Sequence, residues 1–190
     1  MQAKQGLQTM SKAESDSFGP VPTSGDFVIT HIFDAPRDLV WEAYTLPEHL
    51  SQWWGPQGFK MLATEMDLRP GGLFRYGMEA PNGAVMWGKW LFRSITAPKR
   101  MVLVVSFTDP AGEAIRHPME PNWPLGMLSG MTLEEQGGRT LLTLIVRPDE
   151  NSTDVERQTF EAGRGSMKQG FSGTFAMLDE YLAKLQGGAA

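Results

Sequence analysis

The sequence predicts an α+β domain in which a curved antiparallel sheet wraps around one long C-terminal helix. Three observations predict this fold class: a first strand followed by two short helices, a long run of strand and turn patterns over 59–147, and a final stretch with one continuous helical period. Because the last helix is the only element large enough to cover the apolar face of the sheet, we expect a hollow between the two.

The predicted domain begins with a strand over 26–33, in which side chains alternate between two faces (DFVITHIF). Asp34 and Pro36 then begin a helix, since proline is tolerated in a first helical turn. The apolar face of this helix continues to Pro47, where the chain turns into a second helix.

The stretch LSQWWGPQGFK (50–60) places two tryptophans side by side, which a short helix over 47–54 explains. Leu50, Trp53 and Trp54 then stand at i, i+3 and i+4 and share one face. Gly55 and the following proline end the helix. Both indoles cover a ligand cavity in one interpretation and pack the core in a second; in a third, one lies in the core and the other at the mouth of the hollow.

Six further strands follow, separated by turn signals such as Pro-Gly-Gly, Pro-Asn-Gly and Gly-Gly. Their predicted ranges are 59–69, 73–78, 85–95, 101–108, 125–135 and 139–147.

The chain ends in helix. Thr153 with Glu156, and Ser166 with Gln169, have capping-box spacing. An apolar stripe steps by four and three residues along the last helix; it consists of Phe171, Phe175, Leu178, Leu182 and Leu185.

Glycines inside that helix require an explanation, because each costs about 1 kcal/mol relative to alanine. Gly170 and Gly173 therefore predict a close approach of the helix backbone to the sheet or to a bound molecule. Contact between helix and sheet is the simpler of the two explanations.

The composition is that of one globular domain with a sizeable core, assigned to residues 26–186. Lys and Arg total 17 against 22 for Asp and Glu, a net charge of −5 that argues against a nucleic-acid partner. The chain has no cysteine, which excludes disulfides and thiolate chemistry and fits a reducing compartment.

The first 25 residues have neither the apolar core of a signal peptide nor a membrane span, and they predict a flexible tail in which Met10 is an alternative start. Residues 187–190 are predicted to be a disordered end. We therefore expect a cytoplasmic protein. Its oligomeric state, monomer or homodimer, stays open.

Several segments, in this order and spacing, resemble one family. They are FDAPRDLVWEAYT (33–45), WWGPQGF (53–59), DLRPGGLFRYGM (67–78), WGKWLFRSITAPKRMV (87–102), SFTDPAGEAIRHPMEPNWPL (106–125) and FEAGRGSMKQGFSGTFAMLDEYL (160–182). The chain resembles the START-like (birch-pollen-allergen-like, SRPBCC) superfamily, in the branch related to the C-terminal domain of the activator of heat-shock protein 90 ATPase. The resemblance implies a helix-grip fold over roughly residues 26–185.

The resemblance implies a range of functions rather than one, because this superfamily includes lipid and hormone binders, polyketide cyclases and co-chaperone domains. The eukaryotic activator also has a separate N-terminal domain that stimulates the chaperone, and the N-terminal tail of this chain does not replace it.

The leading interpretation is a module that binds a small hydrophobic molecule between helix and sheet, without a cofactor. Its predicted apolar lining is Trp54, Phe74, Trp90, Phe107, Met131, Phe171 and Phe175, with Arg75 and His117 as polar contacts.

Arg75 has an alternative role. If it points away from the hollow, it forms a solvated cross-strand pair with Glu65 or Asp67 instead of a buried charge site, and the cost of burying unpaired charge favours this arrangement. The strand over 85–95 places Trp87 and Trp90 on opposite faces, so one of them is exposed, at an interface or covered by a neighbour.

No metal or catalytic motif is present. His31, His49 and His117 lack metal-ligand spacing, and neither a nucleophile elbow nor a phosphate loop occurs. Two alternative functions remain: a chaperone-linked or stress-related protein-interaction domain with Trp87 facing the partner, and a cyclase-like enzyme that relies on cavity shape.

Overall fold

The computed structural model describes residues 22–188, which form a seven-stranded antiparallel sheet and four helices. The strands are β1 (Phe27–Phe33), β2 (Lys60–Met66), β3 (Leu73–Glu79), β4 (Val85–Thr96), β5 (Arg100–Thr108), β6 (Met127–Gln136) and β7 (Arg139–Pro148). The helices are α1 (Arg37–Thr45), α2 (Pro47–Trp53), α3 (Asp154–Ala162) and α4 (Arg164–Gly187).

The predicted fold class, a curved sheet around a long C-terminal helix, is confirmed. The predicted tail (1–25) lies outside the described residues except for 22–25, as do 189–190 of the predicted disordered end.

The strands follow the order β1-β7-β6-β5-β4-β3-β2, so the sheet is a meander whose first strand returns to pair with the last. Irregularities interrupt the register between Met61 and Ala63 and between Phe92 and Ser94. Bulges of this kind increase the local twist and bend a sheet. The bent sheet has a concave face, over which α4 lies, and a convex face.

Alternation along β4 shows how the faces divide. Trp90 and Phe92 point to the concave side and are buried, while Trp87, Lys89 and Leu91 point to the convex side and are half-buried. The concave side holds the main hydrophobic core, which also includes residues of α1, α2 and α4.

The two neighbouring tryptophans separate at the end of α2. Trp53 is 2% exposed and its indole N–H donates to the carbonyl oxygen of Ala43 at 3.0 Å, which ties α2 to α1. Trp54 is the C-cap residue and is half-buried, and Gly55 follows with φ +121°. The predicted helix end at a left-handed glycine is confirmed.

The predicted capping box at Thr153 is confirmed, with Thr153 and Glu156 exchanging side-chain and backbone hydrogen bonds at the start of α3. The second predicted capping box is wrong. Helix α4 already begins at Arg164, so Ser166 and Gln169 lie inside it, and Gly163 joins the two helices in a near-helical conformation (φ −79°, ψ −3°) without a side-chain cap.

The predicted approach of Gly170 and Gly173 to the sheet is also wrong, because a Cβ at either position would meet no atom within 4 Å. Gly163 makes a close approach instead: a Cβ there would lie 2.6 Å from ring carbon Cζ3 of Trp123. The helix junction, rather than the helix middle, is where glycine is sterically required.

Candidate functional site

A cavity of about 170 Å³ lies between the concave face of the sheet and α4. It is bounded by helix α1, the end of α2, strands β4 to β7 and the middle of α4. Its lining consists of Tyr44, Trp54, Trp90, Met101, Leu103, Val105, Met127, Ser129, Met131, Leu144, Val146, Phe171 and Phe175. None of these side chains carries a charge at neutral pH.

Interlocked aromatic rings form one wall of the cavity. The Trp54 ring lies edge-on to Trp90 with centroids 4.8 Å apart, and Phe74 supports Trp90 from behind at 4.9 Å. Edge-to-face pairs at these distances stabilise one another beyond the area that they bury. Three elements (α2, β3 and β4) therefore hold this wall in place.

The Tyr76 hydroxyl lies buried behind this wall. Burial raises the pKa of Tyr76 to about 12, and the neighbouring indole N–H groups of Trp54 and Trp90 oppose that shift. Neither indole N–H has the geometry of a full hydrogen bond with any acceptor in the described chain. The Tyr76 hydroxyl thus stays protonated at neutral pH and belongs to the wall.

The opposite wall is supplied by α4. Phe171 stacks on Phe27 with centroids 5.8 Å apart, and Phe175 meets the edge of Phe33 at 5.9 Å. His31 lies 5.3 Å from Phe175, and its Nε2 is 2.8 Å from a carboxylate oxygen of Asp179. Strand β1 therefore positions the helix residues that face the cavity.

A second polar link holds α4 two residues further along its C-terminal half. Nδ1 of His49 and the Tyr181 hydroxyl share a hydrogen bond of 2.6 Å, which connects α2 to α4. Burial raises the pKa of Tyr181, and the nearby carboxylate of Glu48 adds to the shift. The Tyr181 hydroxyl therefore remains a donor at neutral pH.

The cavity contains two hydroxyl groups. Tyr44 is 6% and Ser129 7% exposed, and no hydrogen bond in the described part of the chain involves either hydroxyl. Burial raises the pKa of Tyr44 far above its usual range, so its hydroxyl is a protonated donor at any physiological pH. The cavity is apolar apart from these two groups.

A family model described as Activator of Hsp90 ATPase homolog 1-like protein matches residues 34–183, which include every residue that lines the cavity. The chain belongs to this family. The resemblance drawn from the sequence, to the START-like superfamily and to this branch of it, is confirmed.

Solved structures of similar proteins share the fold of this family member. A crystal structure from Nitrosomonas europaea has 23% identity, covers 87% of this chain and 99% of its own, and has a TM-score of 0.69. A solution structure from Arthrobacter aurescens has 26% identity, coverages of 84% and 86%, and a TM-score of 0.67. The AHSA1 protein of Silicibacter pomeroyi has 17% identity, coverages of 83% and 97%, and a TM-score of 0.62. No match was found among curated protein sequences.

Five of the residues predicted to contact a ligand line the cavity of this Hsp90-activator-like domain. They are Trp54, Trp90, Met131, Phe171 and Phe175. The other four are not in the lining. Phe74 is fully buried behind Trp90, and the remaining three lie elsewhere, as described next.

Arg75 points to the convex face, where its guanidinium lies over the Trp87 ring at 5.7 Å and donates to the carbonyl oxygen of Pro110. Its cross-strand partner is Glu65, at 3.8 Å. Asp67 pairs with Arg69 instead. The outward arrangement of Arg75 is therefore the observed one, and it covers Trp87, the tryptophan on the convex side of β4.

Phe107 and His117 form a separate aromatic cluster beyond the end of the cavity. Their ring centroids lie 4.6 Å apart, and His117 also approaches Trp123, which packs on Phe160 of α3. Nδ1 of His117 accepts backbone hydrogen bonds from Met119 and Glu120. Burial lowers the pKa of His117, against a smaller opposing effect of the Glu120 carboxylate. The cluster anchors the long β5–β6 connection.

Sequence reasoning missed most of the strand residues in the lining, including Met101, Leu103 and Leu144. Strand parity contained a usable signal for several of them; Ser129, for example, lies two residues from Met131 and therefore on the same face. Among residues 22–188, no group of three or more His, Cys, Asp or Glu is placed to hold a metal, and no helix is long and apolar enough to cross a membrane.

Proposed function

We propose that this domain binds a small hydrophobic molecule in the cavity between the sheet and α4. The observation that carries the proposal is a partly open cavity lined by uncharged and mainly apolar side chains. Binding sites for small molecules are typically concave and apolar with a few polar groups, and this cavity has that composition.

The volume sets the size of the ligand. A buried apolar cavity of roughly 150 Å³ accommodates benzene, so about 170 Å³ suits a single ring with a small substituent. Flexible side chains of Met101, Met127 and Met131 line the space and allow some adjustment. A ligand that lies wholly within this space is therefore smaller than a sterol or a fatty acid.

The energetic cost of empty space also supports occupation. In a Leu→Ala series in T4 lysozyme, the loss of stability grew by about 24 cal/mol per Å³ of cavity left behind, because the lining side chains lose packing contacts. A molecule that fills the space restores such contacts for the apolar side chains that line it.

The two other functions have weaker support. The family description refers to activation of the Hsp90 ATPase, but the surface that the sequence suggested for a partner centres on Trp87, whose half-buried ring lies under Arg75. A cyclase-like reaction has no carboxylate, imidazole or amine in the cavity lining to act as general base.

The proposal predicts that toluene and ethylbenzene bind the wild-type domain and raise its melting temperature, because a ligand that binds only the folded state stabilises it. Binding is measured by thermal shift and by amide chemical shifts in two-dimensional NMR. Val146→Phe places a larger side chain in the cavity and should abolish both effects.

Val104→Phe is the matched control, since Val104 is on the convex face of β5 and only half-buried. It should bind the probes as the wild type does. The proposal fails if neither probe binds the wild-type domain, or if both still bind the folded Val146→Phe variant with unchanged affinity.

A further inference from the structure

We propose that the ligand is an uncharged, ring-sized molecule with one oxygen function, a hydroxyl or a carbonyl, that hydrogen-bonds to the hydroxyls of Tyr44 and Ser129. This inference rests on the proposed function and adds the chemical class of the ligand. It starts from polar groups that the fold itself leaves without partners.

Buried hydroxyl groups are nearly always hydrogen-bonded, and exceptions need an explanation. Tyr44 and Ser129 are both more than nine-tenths buried, and both face the cavity from different elements, α1 and β6. No hydrogen bond in the described part of the chain involves either hydroxyl. Their partner is therefore expected inside the cavity.

Between Met127 and Leu133, Ser129 is the only polar residue on the concave side of β6. Met127 and Met131, its neighbours on the same face, are both apolar and line the cavity. Buried Ser106 on β5, by contrast, faces the convex side. Alanine would occupy the same space between the two methionines, so packing alone does not explain why a serine is found there.

The lining excludes a charged ligand. A carboxylate or an ammonium group buried without a counter-ion carries a large desolvation cost, and no residue of the lining provides one. A hydroxyl group can both donate and accept, and the raised pKa of Tyr44 keeps its proton in place. Neutral alcohols, phenols, ketones and aldehydes satisfy these groups.

Three probes that share one methyl-substituted benzene ring test the inference: toluene, 4-methylphenol and 4-methylbenzoate. Dissociation constants are measured by NMR titration at pH 7 with the wild-type domain. One net hydrogen bond should make 4-methylphenol bind roughly 3- to 10-fold more tightly than toluene. 4-Methylbenzoate should bind at least 10-fold more weakly than toluene.

Ser129→Ala and Tyr44→Phe each remove one hydroxyl and should lower the ratio of 4-methylphenol to toluene affinity toward one, with toluene binding retained. Since neither hydroxyl has a partner in the protein, both variants should unfold at the same urea concentration as the wild type or a higher one. Ser106→Ala, a buried serine on the opposite face, is the control and should leave the ratio unchanged.

The possible failures are distinguishable. If toluene binds but 4-methylphenol is no tighter, or if the ratio survives in both hydroxyl variants, the inference about ligand class is overturned while the proposed function stands. If no probe binds the wild-type domain, the proposed function fails and this inference fails with it.

Discussion

Two glycines allow aromatic rings to lie flat against neighbouring strands on opposite faces of the sheet. On the concave face Tyr76 lies over Gly88, and on the convex face Trp87 lies over Gly77. A Cβ on Gly88 would stand 2.5 Å from the Tyr76 hydroxyl, and one on Gly77 would stand 2.8 Å from a ring carbon of Trp87. Each ring covers backbone that the missing side chain leaves bare.

At the residue scale, Gly88→Ala should destabilise the domain by about 1–3 kcal/mol, because the new methyl group displaces Tyr76 into the wall formed by Trp54 and Trp90. Urea unfolding measures the loss, and near-ultraviolet circular dichroism reports the movement of the rings. In a Tyr76→Leu background the same substitution should cost much less. Equal costs in the two backgrounds would show that Tyr76 is not the obstacle.

At the element scale, α4 differs between its two halves. The C-terminal half buries Phe175, Leu178 and Leu182, whereas residues 164–174 are exposed or half-buried. Gly170 and Gly173 lie in this N-terminal half of the helix, and a Cβ at either position would meet no atom within 4 Å. The segment that supplies Phe171 to the cavity is therefore the part of the helix with the lowest intrinsic helical stability.

Alanine at Gly170 and Gly173 should stabilise the domain by about 0.5–1 kcal/mol at each position, since neither residue has a positive φ and neither Cβ meets another atom. Urea unfolding measures the gain, and hydrogen exchange should slow for the amides of 166–174. Gly163→Ala is the opposing control, because its Cβ would strike Trp123 and should reduce stability. A double alanine variant no more stable than the wild type would contradict the argument.

Periodicity in the sequence was sufficient to predict the helices, the strands and their buried faces, but not to predict which residues line the cavity. Alternation predicted that Trp90 and Phe92 share a face, and a stripe of apolar residues predicted which side of α4 is buried. Phe107 is two residues from Val105 on β5 and shares its face, yet Val105 lines the cavity and Phe107 lies beyond its end. Alternation predicts the face on which a side chain lies but not whether the cavity extends that far along the strand. Whether the hydroxyls of Tyr44 and Ser129 have partners depends on packing between distant elements, which a local pattern does not contain.

At the scale of the whole molecule, one ion pair joins the long β5–β6 connection to the helical end of the chain. Arg116 of that connection donates to Glu156, a buried carboxylate that also caps α3 through Thr153. The pKa of Glu156 is lowered from 4.5 to about 2. The largest cause is the hydrogen bond from the Arg116 guanidinium, and the next is the hydrogen bond from the Thr153 backbone. The carboxylate is thus stabilised in its ionised form only when the chain is folded.

The sign of the pH dependence follows from this lowered pKa. Well above pH 4.5 Glu156 is ionised in both the folded and the unfolded chain, so its full contribution to stability is present. As the pH falls from 4.5 to about 2, the unfolded chain takes up the proton first and the contribution is lost. Glu156→Gln should therefore reduce the free energy of unfolding at pH 7 by about 1–2 kcal/mol, a value limited by the half-exposed Arg116 partner.

Urea unfolding of the wild type and of Glu156→Gln between pH 7 and pH 2.5 tests this prediction. The difference between the two proteins should be constant well above pH 4.5 and should shrink as the pH falls through 4.5 toward 2. Glu161→Gln, on the same helix but paired with Arg164 at the surface, should cost little at any pH. If the deficit of Glu156→Gln keeps its full size at pH 2.5, the ionised carboxylate is not what ties the β5–β6 connection to α3, and loss of the neutral cap geometry explains the deficit instead.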